Sequence, residues 1–225
     1  MRGRGVAAEA FQGTSPRAQN VAAAVNRPAQ DPDDPLVRVC REPNDDEFEA
    51  AFEALYTKYR DRAYGIAYRI TGNASDALDA VQESFSLVFR KIASFRADSL
   101  FSTWLFRLVV NCAIDQLRGR RPRRSVLSLD GVAADPEAVD GDPVASATVG
   151  EIGAVIQAAL LELSPKLRAI LALRYLEGMS YEDLCLALEI SIGTVKSRLA
   201  RAHVALEGVL RGHPALRSFL GEEVA

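Results

Sequence analysis

The sequence predicts an all-α protein built as two small helical domains joined by an acidic flexible linker. Three observations carry this prediction. Apolar residues recur at spacings of three and four over two long stretches, capping residues and helix breakers fall at their ends, and the periodicity fails between Ser125 and Gly150. With 225 residues, 48% of them hydrophobic and 25% charged, the chain can form two domains of under about 100 residues each.

Residues 1–43 are rich in Ala, Arg, Pro and Asp and have few large apolar side chains to bury, which predicts a disordered N-terminal extension. Order is expected from Asn44, a candidate N-cap with Glu47 three residues on. Phe48, Phe52, Leu55, Tyr59, Ala63, Ile66 and Ile70 then mark one buried helix face, and Gly72 ends it. Ser75 can cap a second helix, in which Leu78, Val81, Phe85, Val88 and Ile92 repeat with a heptad-like period. A third helix starts near Asp98 and Ser99. Its apolar side is Phe101, Trp104, Leu105, Leu108 and Cys112, and Gly119 and Pro122 stop it. These three helices form the first domain, residues 44–121.

Residues 122–150 are interrupted by Gly131, Pro136, Gly141 and Pro143. From Ser125 onward they carry Asp130, Asp135, Glu137, Asp140 and Asp142 without a basic residue, the composition of a linker. Periodicity resumes with Ile152, Val155, Ile156, Ala159, Leu160 and Leu163. Ser164-Pro165 then supplies an N-cap followed by proline at the first helical position, and Leu167, Ile170, Leu171 and Leu173 lead up to Gly178. Ser180 and Asp183 form a capping box before a short helix lined by Tyr181, Leu184, Cys185 and Leu188. After about four residues the basic stretch I-S-I-G-T-V-K-S-R-L-A-R-A-H begins at Ile190. Two short helices joined by a tight turn are what a helix-turn-helix requires. The second domain spans 151–212, and 213–225 is a C-terminal tail.

Several function classes are excluded or disfavoured. Cys40, Cys112 and Cys185 are widely spaced and form no C-x-x-C pair, and His203 and His213 add no ligand spacing. Neither a disulfide framework nor a metal site is expected, and reduced thiols fit a cytoplasmic protein. No apolar run approaches the roughly 18 to 20 residues needed to span a bilayer. There is no catalytic constellation and no phosphate-cradling glycine loop, so neither an enzyme nor a cofactor is expected.

Three surfaces carry candidate chemistry. On a helical wheel Val195, Leu199, Ala202 and Leu206 form the seam of the last helix. Ser197 and Arg201 lie opposite, flanked by Thr194, Lys196 and Ala200. Such a small, hydroxylated, cationic face is alone most simply a solvated surface. After a capped helix and a tight turn it suits a major groove, where arginine forks to guanine and hydroxyls reach phosphates or bases. Arg198 sits nearer the seam, in reach of a structural ion pair or a phosphate. The end of the third helix is a second cationic feature: Arg107, Arg118, Arg120, Arg121, Arg123 and Arg124 are opposed only by Asp115. It reads either as a solvating charge run or as a phosphate-tracking surface beside Trp104 and Phe106. By its spacing Trp104 itself is a core residue. The third surface is the polar face of the second helix, Asp76, Asp79, Gln82, Glu83 and Ser86. Carboxylates are favoured near a helix N-terminus in any case, but in a chain with two basic surfaces this face suits a protein partner. The formal net charge of −3 hides these patches.

These residues resemble a known family. D-A-L-D-A-V-Q-E-S-F (76 to 85), S-F-R-A-D-S-L-F-S-T-W-L-F-R-L-V-V-N (94 to 111), L-S-P-K-L-R-A-I-L-A-L-R-Y-L-E-G-M-S-Y-E-D-L (163 to 184) and I-G-T-V-K-S-R-L-A-R-A (192 to 202) occur in the order and spacing of the extracytoplasmic-function (ECF) sigma factors of bacterial RNA polymerase, within the sigma-70 family. The resemblance covers residues 44–211. It implies a sigma-2-like domain whose Asp76, Asp79, Gln82 and Glu83 dock on the β′ clamp helices of core RNA polymerase. It implies capture of the unpaired −10 element beside Asn111, with Arg107, Arg118, Arg120 and Arg121 along the strand. Extracting a base costs on the order of a few kcal/mol, least where pairing is weak. It further implies a sigma-4-like domain that reads the −35 element through Thr194, Lys196, Ser197, Arg198 and Arg201 and touches the β flap, and an acidic linker in the RNA exit channel. Family habit implies an anti-sigma factor partner. Glu189 departs from the turn glycine of many relatives, Ala200 stands where some carry an aromatic residue, and His203 stands where arginine is common.

The expected function is that of an alternative sigma factor that binds core RNA polymerase and directs promoter recognition and melting. A stand-alone helix-turn-helix regulator is the main alternative, against which the acidic face at 76–83 speaks. An interaction protein that sequesters polymerase is a third.

Overall fold

The computed structural model describes residues 31–42, 45–119 and 143–212, and among these every regular element is helical. In chain order the helices are α1 (Asp34–Arg41), α2 (Asp45–Thr71), α3 (Ala74–Lys91), α4 (Phe101–Gly119), α5 (Pro143–Glu162), α6 (Pro165–Tyr175), α7 (Tyr181–Leu188) and α8 (Ile192–Gly212). A 3-10 turn, Ile92–Ser94, follows α3. Helices α2, α3 and α4 pack on one another around Leu55, Ile66, Ile70, Val88, Phe101 and Phe106, all buried. Edge-to-face contacts such as Tyr59 on Phe106, with centroids 5.9 Å apart, suit the ring quadrupoles.

The expectation of disorder over 1–43 is corrected at its end, because residues 34–41 form α1. Pro35 in the first turn has its φ already set for a helix, and Val37 and Cys40 supply a buried face one turn apart. The aspartates before it are structural. Asp33, 1% exposed, accepts from the Lys58 ammonium and the Tyr59 hydroxyl, and burial, reinforced by this carboxylate, pushes the Tyr59 phenol up. Asp31 accepts from the backbone N–H of Phe101 at 2.6 Å, so the start of α4 is capped from a distant part of the chain as well as launched locally. Residues 1–30, Asn44, Arg120 to Asp142 and the 213–225 tail lie outside the described residues.

Helix α3 starts one residue before the expected cap: Asn73, not Ser75, accepts from the Asp76 N–H at 3.1 Å. An Asn in extended conformation offers its side-chain oxygen to the third residue on, which satisfies an orphan donor. The second long stretch also starts early. Helix α5 begins at Pro143, so the part of the 122–150 linker from 143 onward is helical. Its proline lacks only an N–H that would have no intrahelical partner.

The two units pack together. α2 lies against α5 and α6, and α4 lies against α7 and, more lightly, α6. The C-terminus of α2 is the hub. Its Ile70 carbonyl accepts from the guanidinium of Arg168, which is 8% exposed and also donates to Leu163 O at 3.1 Å. A cation there meets the negative end of the helix. Desolvation by burial lowers the Arg168 pKa. Buried Gln157 donates to Tyr68 O at 3.2 Å and accepts from Arg69 at 2.9 Å. Gly72, in the left-handed region at φ 72°, closes α2, and a Cβ there would come within 2.4 Å of the Leu161 side chain.

Candidate nucleic-acid interface

The C-terminal unit ends in a helix-turn-helix. Helix α7 opens with a reciprocal capping box: Asp183 N–H donates to Ser180 Oγ at 3.0 Å, and Ser180 N–H donates to Asp183 Oδ2 at 3.2 Å. It ends at Glu189, in left-handed conformation at φ 52° and ψ 45°, where Ile190 N–H returns to Cys185 O at 3.1 Å. This closure is usually built with glycine. Ser191 then caps α8, accepting from Thr194 N–H at 3.3 Å, a role that sequence reasoning missed although Ser191 precedes an apolar-periodic run.

Val195, Leu199 and Ala202 are buried, so the seam runs where the wheel places it, while Lys196, Ser197 and Arg201 are exposed. Each hydroxyl and guanidinium on the outer face rests on its own helix. Ser197 Oγ donates to Thr194 O at 3.2 Å, Arg201 Nε donates to Ser197 O at 3.2 Å, and the Thr194 hydroxyl lies 2.9 Å from Ser191 Oγ. Arg198 is half-buried, and desolvation, with Arg201 nearby, lowers its pKa. His203 shares a hydrogen bond of 2.7 Å with the Tyr175 hydroxyl, which ties α8 back to α6.

The candidate single-strand surface lies on α4. Arg107, Asn111 and Arg118 share one stripe, since their spacings of four and seven bring each back to the same face. Asn111 is exposed, Arg118 pairs with Asp115 at 2.9 Å, and Arg107 pairs with Glu189 of the other unit at 3.1 Å. Arg120 and Arg121 lie outside the described residues. Trp104 is half-buried, tilted 36° against Phe95 with centroids 5.0 Å apart.

On α3, Asp79, Gln82 and Glu83 are exposed, and Glu83 pairs with Arg90 at 2.9 Å. Asp76 does not share that surface. It is 2% exposed, in the first turn of α3, where the positive end of the helix favours a carboxylate. Leu78 was expected on the buried seam but is 59% exposed. The seam is instead carried by Ala77, Ala80, Val81, Ser84, Phe85 and Val88. Leu78 borders an open groove with Tyr56, Phe52, Gln82 and Phe89, and Phe89 is also 59% exposed. The acidic face therefore has an apolar neighbour. Phe52 and Phe89 lie far apart in sequence on different helices, and only packing brings their rings to 5.7 Å.

Comparison with known proteins matches both units. Residues 55–123 match the family model of Sigma-70 region 2, and residues 154–206 match that of Sigma-70 region 4. The RNA polymerase sigma-H factor of Pseudomonas aeruginosa is 37% identical over 177 residues, which are 74% of this chain and 89% of that protein. The ECF RNA polymerase sigma factor SigW of Bacillus subtilis is 34% identical, over 72% of this chain and 89% of its own length. The chain belongs to the ECF sigma factors of the sigma-70 family. It is thus a transcription initiation factor of RNA polymerase. Among solved structures, CnrH in complex with the cytosolic domain of CnrY shares the fold of this sigma factor, with a TM-score of 0.57 at 22% identity, covering 80% of this chain and 97% of that one. The sigma factor RpoE from Bartonella quintana, in complex with the anti-sigma factor NepR, matches with a TM-score of 0.56 at 25% identity, covering 71% and 96%. Among the described residues of this sigma factor, no helix is long and apolar enough to cross a membrane.

Proposed function

We propose that this sigma factor reads the −35 element through the outer face of α8 and captures the −10 strand along α4, while α3 docks on the β′ clamp helices of core RNA polymerase. The observation that carries the reading is the geometry of α7 and α8. A capped short helix, a left-handed turn and a helix with a buried seam leave Lys196, Ser197 and Arg201 facing out together. Arg201 forks to a base edge, Ser197 and Lys196 set register on phosphates, Thr194 stays beside Ser191, and Arg198 lies nearer the buried seam. Asn111 lies beside a flipped base, with Arg107 and Arg118 tracking the backbone. On α3, Asp79, Gln82 and Glu83 supply the polar contacts, and Leu78, Tyr56 and Phe89 supply the apolar area. Buried Asp76 holds the helix start. An anti-sigma factor is a natural partner, because a solved structure of the same fold, RpoE from Bartonella quintana, carries one.

Reconstituted holoenzyme tests the reading by footprinting and competition between promoter variants. Arg201→Ala weakens −35 recognition by about 1 to 3 kcal/mol and relaxes the preference at one base position. Unchanged −35 selectivity in that variant overturns it. A stand-alone duplex-binding regulator would instead bind promoter DNA tightly without core enzyme.

A further inference from the structure

Beside the Arg168 and Gln157 contacts, the two units meet through Arg107, which the proposed function assigns to DNA. Arg107, on the α4 stripe, is paired with Glu189 at 3.1 Å, and Glu189 is the turn of the helix-turn-helix itself. Nearer the centre, Arg62 of α2 donates through both Nε, at 2.9 Å, and a terminal nitrogen to Glu177, in the segment between α6 and α7. The Glu177 side chain is only 4% exposed, covered by a guanidinium that also lies 5.2 Å from the ring centroids of Tyr59 and Phe106. Both carboxylates come from the C-terminal unit and both arginines from the N-terminal unit.

A duplex places its −10 and −35 elements about 25 base pairs apart, which at about 3.4 Å per pair is about 85 Å of straight helix. Surfaces joined by a 3.1 Å ion pair cannot lie on both at once. Residues 120–142, which connect the units, reach about 80 Å when extended, at about 3.3 to 3.6 Å per residue. The closed arrangement is therefore one that promoter binding must undo, an argument that rests on the proposed assignment of the two surfaces.

We propose that Glu177 and Glu189 form an electrostatic latch that holds the free sigma factor closed, with the Arg107 of its own −10 surface neutralised by the turn of its own −35 reader. Opening releases Arg107 to phosphate and exposes the Glu177 carboxylate to water, so DNA, or a partner that pulls the units apart, competes directly with the latch. A glycine at position 189 would close the turn but could not pair with Arg107.

The test uses the full chain with Ala93→Cys and Gly208→Cys, both exposed and one on each unit. A side chain at Gly208 meets open space, and the native Cys40, Cys112 and Cys185 are buried. Spin labels at the two sites report the distance distribution by pulsed electron resonance. The parent shows one narrow distance distribution. Glu189→Gln shifts the open-to-closed ratio about three-fold, as expected for an exposed pair, and Glu177→Gln about ten-fold, since it leaves Arg62 without its buried partner. Arg107→Glu combined with Glu189→Arg restores the parent distribution, and raising salt mimics the single variants. A parent that is already open, or a distribution indifferent to both glutamates and to salt in folded protein, overturns the latch. Failure of the promoter assignment has a different signature. The distances still respond to Glu177 and Glu189, while Arg201→Ala leaves −35 selectivity intact.

Discussion

The N-terminal and C-terminal units are both small helical bodies, but they are held together by different means. Of the twelve largest side chains that are fully buried, nine belong to the N-terminal unit, among them Phe101, Phe106, Leu55 and Ile66, and only Ile170, Leu173 and Leu184 belong to the C-terminal one. The first unit is secured by apolar volume. The second relies on local hydrogen bonds, on the caps of Ser180, Asp183 and Ser191, and on anchorage to its neighbour through Arg168 and Gln157. The buried residues of the two units nonetheless join in one continuous apolar cluster, so the difference lies in how each unit is secured locally.

The sharpest way to break the comparison is in the larger core. Phe106→Ala removes a ring that is 1% exposed and packed on Tyr59, and it should cost about 3 to 5 kcal/mol in urea unfolding. Because Arg62 lies over the same ring, the Glu177 contact should loosen with it. A loss of under about 1 kcal/mol would show that the core collapses around the gap, against the close-packed picture. A smaller effect is expected at the cap. Ser180→Ala removes the acceptor for the Asp183 N–H and should cost about 0.5 to 2 kcal/mol. Native-state hydrogen exchange would place the loss in α7 and α8 with α2 and α4 unchanged. Equal loss in both units would mean that the two are not energetically separable.

Much of this was legible from spacing alone. The seams of α2 and α8 follow the apolar positions named in the sequence, and the capping box of α7 lies where Ser180 and Asp183 announce it. What escaped was set by contacts distant in sequence. D-P-D-D-P reads as a polar, proline-broken run. It becomes ordered because Lys58 and Tyr59 receive Asp33 and because the start of α4 receives Asp31. Leu78 fits a heptad count equally well, but α3 turns a neighbouring strip inward, with Ala77 and Ala80 allowing close approach to the other helices. The same rotation buries Asp76 and leaves Asp79, Gln82 and Glu83 outside. Nothing local distinguishes carboxylates three residues apart, so a linear motif could name the set but not sort it. The pairing of Arg107 with Glu189 joins residues whose partnership exists only once both units have folded.

The smallest effect separates two properties of Glu189. Its backbone occupies the left-handed region at φ 52°, which disfavours residues with a Cβ, and its side chain reaches Arg107. Glu189→Gln removes the charge and keeps the strain, whereas Glu189→Gly removes both. The stability difference between these two variants therefore isolates the turn, free of the ion pair. Glycine should be the more stable by about 0.5 to 1 kcal/mol in urea unfolding, since relief of the Cβ contact outweighs the greater freedom it gives the unfolded chain. If glutamine proves equal or better, the turn stores no strain, and the choice of glutamate there needs only its charge to explain it. If glycine is better, the parent tolerates a strained turn between its two helices in order to keep a carboxylate facing Arg107. The N-terminal unit closes α2 with a glycine, Gly72 at φ 72°, although it too holds a left-handed alanine, Ala97 at φ 54°, in the segment before α4.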